Sequence, residues 1–88
     1  MKLCREMKKS FSKIEKLFSP NELKEFIACA PGNLDRYHFG LGTWIRNELL
    51  KDGSPLTARF LRGGVLQKDD MSQLLIELFH LYVRNKYL

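Results

Sequence analysis

The side chains that could do chemistry here are two histidines, two cysteines and a Gly-x-Gly step. Asp35 precedes His38 by one helical turn, a spacing at which a carboxylate can orient an imidazole for acid–base work. An ordinary helix-surface hydrogen bond is by far the commoner reason for that spacing. His80 is the other candidate base. No arginine stands five to seven residues before either histidine, so the arginine–spacer–histidine pattern of many helical ribonucleases is missing. Gly40 and Gly42 fail as a dinucleotide loop, because Ile45 occupies the place of the third glycine and no strand is expected before them. Walker, His-Glu-x-x-His and Gly-x-Ser-x-Gly motifs do not occur. Cys4 and Cys29 offer no metal-ligand spacing. Both fall at apolar positions of predicted helices and read as buried free thiols, with a disulfide as the alternative. The expectation is no catalysis, no cofactor, no metal and no small-molecule substrate.

Punctuation divides the chain into five helical segments, and no stretch alternates as a strand would. The expected fold is all-α, a single domain over residues 1–88 with the last helix at its centre. A first helix is predicted from about Leu3 to Phe18, where Cys4, Met7, Phe11, Ile14 and Phe18 share one face. Ser19-Pro20-Asn21-Glu22 opens a second: Ser19 caps, Pro20 suits the first helical position, and Glu22 completes a capping box. Leu23, Phe26, Ile27 and Ala30 form its inner face before Pro31-Gly32 stops it. A third is predicted over about Leu34 to Lys51, capped by Asn33, with Leu34, Tyr37, Leu41, Trp44, Ile45 and Leu49 inward. Its Gly40 and Gly42 each cost on the order of 1 kcal/mol against alanine, which points to a close helix crossing or a bend. Ser54-Pro55 opens a short fourth helix with Leu56 and Phe60 inward, closed by Gly63-Gly64. Asp69 and Asp70 begin the fifth, against its positive end. Its inner stripe is Met71, Leu74, Leu75, Leu78, Phe79 and Tyr82, widened by Ile76 and Val83; Gln73, Glu77, His80 and Arg84 are its polar face.

Eighty-eight residues suffice for one domain, with roughly 64% of the unfolded surface buried on folding. A hydrophobic content of 44% argues against disorder. The longest apolar run, Phe26 to Ala30, is far too short for a membrane span, and no apolar region follows the basic N-terminus as in a secretory signal. The expected location is cytoplasmic. The net charge of +5 is concentrated: residues 1–16 carry +4 of it. Lys2, Arg5, Lys9, Lys13 and Lys16 are expected to line the outer side of the first helix, where they can attract an anionic partner. Arg59 and Arg62, one turn apart near the end of the fourth helix, form a second basic spot, although a helix C-terminus favours cations in any case.

The block Tyr37-His38-Phe39-Gly40-Leu41-Gly42-Thr43-Trp44-Ile45-Arg46-Asn47, followed by Asp69-Asp70-Met71-Ser72, resembles a bacterial family of small proteins without an assigned activity. Its members carry similar His-Phe-Gly-Leu-Gly-x-Trp-Ile-Arg-Asn and Asp-Asp-Met-Ser blocks, the second ahead of a final helix. The resemblance covers roughly residues 37–83, and departs at Glu48-Leu49-Leu50, where a Trp-rich continuation is expected. It implies a shared helical fold and brings no catalytic role. Physically, Arg46 can pair with Asp69 or Asp70 and tie the third helix to the fifth.

Function is therefore expected on the surface. One class is a small inhibitor or regulator of a larger, nucleic-acid-processing complex such as a CRISPR effector, docking through the basic helix onto acidic protein or held guide RNA. Anti-CRISPR and toxin-immunity proteins share this size and lack of chemistry. The other class binds RNA or DNA directly, with a salt-sensitive and weakly sequence-specific footprint.

Overall fold

A computed structural model describes residues 5–88. The first helix, α1, spans Arg5–Glu15; Phe11 and Ile14 are fully buried, with Met7 and Phe18 packed beside them. Ser10 is buried as well, its hydroxyl donating to the Glu6 carbonyl at 2.8 Å so that no polar group is stranded. Lys2 and Cys4 lie outside the described residues.

The second helix, α2, spans Pro20–Ala28 and begins with the full reciprocal cap. The Ser19 amide donates to Glu22 Oε1 at 2.9 Å, and the Glu22 amide donates to Ser19 Oγ at 3.2 Å. Both bonds answer donors that the first helical turn leaves unpaired.

The expected third helix is two elements. Residues Pro31–Tyr37 form a 3-10 helix, η1, and α3 spans Leu41–Glu48 after a turn at residues 38–40. The all-α class stands, with six helical elements among the described residues rather than five. The two glycines play different parts in this. Gly40 is the residue before α3 and has open space around its α-carbon, so it marks the break. Gly42 lies within α3, and a β-carbon there would sit 3.0 Å from Nη1 of Arg46. Close approach does occur, then, but by a guanidinium and not by a neighbouring helix.

The next helix, α4, spans Pro55–Arg62 and is capped by Ser54, whose hydroxyl accepts from the Thr57 amide at 3.1 Å. Gly53 before it and Gly64 after it adopt φ of 82° and 89°, where a side chain is unfavourable. The last helix, α5, spans Lys68–Tyr87 and packs on α2, η1 and α3. It buries Met71, Ser72, Leu75, Ile76, Phe79, His80 and Val83. The buried stripe is thus rotated from the expected one: Leu74 is exposed, and His80 is inside instead of on the polar face. Phe79 contacts Phe11 and Phe26 at ring separations of 5.8 and 5.4 Å, which joins α1, α2 and α5 in one aromatic core.

Candidate functional site

The two acidic residues of α1 are both turned away from its outer face. Glu6 Oε2 lies 3.5 Å from Arg59 Nε on α4. Glu15 accepts from Lys86 Nζ at 3.1 Å and from the Tyr87 hydroxyl, both on α5. The Tyr87 hydrogen bond, helped by Lys86 and opposed by partial burial, holds the Glu15 carboxyl below its ordinary range. The Glu15 hydrogen bond in turn raises Lys86. What remains outside is Arg5, Lys8, Lys9, Ser12 and Lys13, with Lys16 just beyond the helix, all exposed. None of these cations forms an ion pair among the described residues. Lys8 was missed by the sequence reading, because its place on the wheel is at the edge of the stripe.

Arg59 stands apart from that group. It pairs with Glu6 at the α1–α4 contact. Arg62, one turn on, is exposed.

The Arg46 guanidinium spans α3 and α5. Nη1 donates to Ser72 Oγ at 2.8 Å, Nη2 to Thr43 Oγ1 at 3.1 Å and to the His38 carbonyl at 3.4 Å, and Nε lies 3.5 Å from Asp69 Oδ1. The Asp69 side chain is 72% exposed, so water screens that pair, and the directed bonds to Ser72 and His38 matter more. Asp70 is exposed and in no ion pair among the described residues.

No side-chain hydrogen bond joins His38 to Asp35 among the described residues. His38 and Asp35 are joined through the backbone, the His38 amide donating to the Asp35 carbonyl at 3.0 Å. His80 is 1% exposed, edge-on to Phe26 at 5.2 Å, and its Nε2 has no hydrogen-bond partner among the described residues. Cys29 is a free thiol, half-buried rather than buried. No group of three or more metal-ligating side chains is found among the described residues. No helix there is long and apolar enough to cross a membrane. Tyr37 and Trp44 pack against the core, whereas Phe39 is 82% exposed.

Sequence reasoning also missed a groove of about 780 Å³ between the end of α1, α2 and the end of α5. Phe18, Leu23, Ile27 and Tyr87 line its apolar floor, with Lys24 on the α2 side and Arg84 on the α5 side. Of the four residues expected on the inner face of the second helix, only Phe26 is buried: Leu23 and Ile27 are half-buried, and Ala30 lies beyond α2 and is exposed.

A family model described as Domain of unknown function (DUF6794) matches residues 5–83. No curated protein and no solved structure matches the chain.

Proposed function

The chain belongs to the DUF6794 family, which is defined without an activity, and from its own surface we propose that it is a non-catalytic binding module. It docks through the outer face of α1 onto an anionic surface of a larger protein or ribonucleoprotein complex, as an inhibitor or regulator. One observation carries this reading. Glu6 and Glu15 pair with residues of α4 and α5, and the five exposed cations of this face form no ion pair among the described residues. Like charges held together on one helix repel one another by a few tenths of a kcal/mol per neighbouring pair. An anionic partner relieves that repulsion and is steered toward it over about 8 Å at physiological salt.

Direct binding of RNA or DNA uses the same face through phosphate contacts. Cations and Ser12 on the exposed face of α1 can meet phosphates and guanine edges, but no aromatic or amide side chain stands there to stack on bases or read adenine. The docking reading is therefore preferred. Affinity capture from the native host, with and without nuclease, tests it. A partner retained after nuclease and lost from Lys9→Glu/Lys13→Glu supports docking, and loss of every partner on nuclease treatment overturns it.

A further inference from the structure

We propose that the groove between α1, α2 and α5 receives an acidic amphipathic helix of the partner protein. This rests on the docking reading and adds the chemistry of what docks. Leu23 and Ile27 are only half-buried and Tyr87 is exposed, so the groove floor presents apolar surface to solvent. Its cations come from two helices, Lys24 on α2 and Arg84 on α5, and neither forms an ion pair among the described residues. The acidic side chain that lines it among the described residues, Glu15, is already held by Lys86 and Tyr87. An apolar floor with cations supplied by two helices matches an apolar stripe flanked by carboxylates, which is the pattern of an amphipathic helix. A fatty carboxylate has one charged end and meets only one of the two cations. Phosphates have no use for the floor. The groove is also continuous with the basic face: Glu15 lines it and a smaller neighbouring cavity of about 230 Å³, into which Ser12 and Lys16 face.

The test is an NMR titration of the full 15N-labelled chain with three probes. They are a helical peptide with leucine at i, i+3, i+4 and i+7 flanked by glutamates, its lysine-for-glutamate counterpart, and dodecanoate. The acidic peptide is expected to shift amides around Leu23, Ile27 and Tyr87 saturably. Lys24→Glu/Arg84→Glu, at an exposed and a half-buried position of the groove lining, is expected to weaken it about tenfold or more. Equal binding of the basic peptide, displacement of the acidic peptide by dodecanoate, or shifts spread away from the groove would overturn the proposal. The two readings fail separately. An inert groove with capture still lost from Lys9→Glu/Lys13→Glu overturns only the groove, whereas groove binding with capture indifferent to those changes overturns only the α1 face.

Discussion

Arg46 on α3 donates through Nη1 to the hydroxyl of Ser72 on α5 at 2.8 Å, and the same hydroxyl donates to the Asp69 carbonyl at 3.0 Å. This relay fastens α3 to the first turn of the central helix. It also gives Gly42 a steric purpose, since a β-carbon there would crowd the guanidinium at 3.0 Å.

Gly42→Ala should therefore change sign with its background. In the native chain it displaces the guanidinium, and we expect a net loss of about 1 kcal/mol, hydrogen-bond loss outweighing helix propensity. With Arg46→Ala already in place the same change should stabilise by up to about 1 kcal/mol, because only propensity is left. A urea-denaturation double-mutant cycle measures this, and additive effects would refute the relationship.

Within the same relay, Ser72→Ala should cost more than Asp69→Asn. Ser72 is fully buried, so its loss strands a charged donor, at about 1–3 kcal/mol. The Asp69 pair is screened, and its loss should cost under about 1 kcal/mol. Denaturant midpoints that rank the two the other way would show the ion pair to be the stronger tie.

The core elements were legible because their signals are local. Ser19-Pro20-Asn21-Glu22 sets a cap within four residues, and the cap forms as read. The third predicted helix failed where a competing cost, Gly40, was treated as a bend and not as a break. The rotation of α5 was illegible for a different reason. Ser72 and His80 are polar by type, and only tertiary contacts bring them inside: Arg46 reaches Ser72, and Phe26 covers His80. The withdrawal of Glu6 and Glu15 was equally hidden, since their partners lie on α4 and α5.

His80 gives a third test. Its buried Nε2 has no partner among the described residues, and such an atom carries a desolvation cost. His80→Leu replaces the imidazole with an apolar side chain of comparable size and should be stabilising by about 1 kcal/mol. A fall in the thermal midpoint would mean that Nε2 makes a bond that holds the core.

The clasp between α1 and α5 predicts an acid limb. Glu15 is held below its unfolded value of 4.5, so the folded chain binds fewer protons than the unfolded one near that pH. Its contribution is complete above about pH 4.5 and is lost as pH falls through the lowered folded value. Lys86 is raised above 10.5, so its share persists through neutral pH and fades only in strong alkali. Glu15→Gln should flatten the fall of stability below pH 5, by about the width of the shift. An unchanged acid limb in denaturation at pH 3 to 6 would contradict the clasp.

The most direct measurement is the affinity of the captured partner for the native chain and for Lys9→Glu/Lys13→Glu, each across a salt series. Both changes are on exposed side chains, so thermal stability should move by no more than about 0.5 kcal/mol. The account predicts a loss of affinity of about tenfold or more at low salt, narrowing as salt rises. Equal affinity of the two chains at every salt concentration would contradict it.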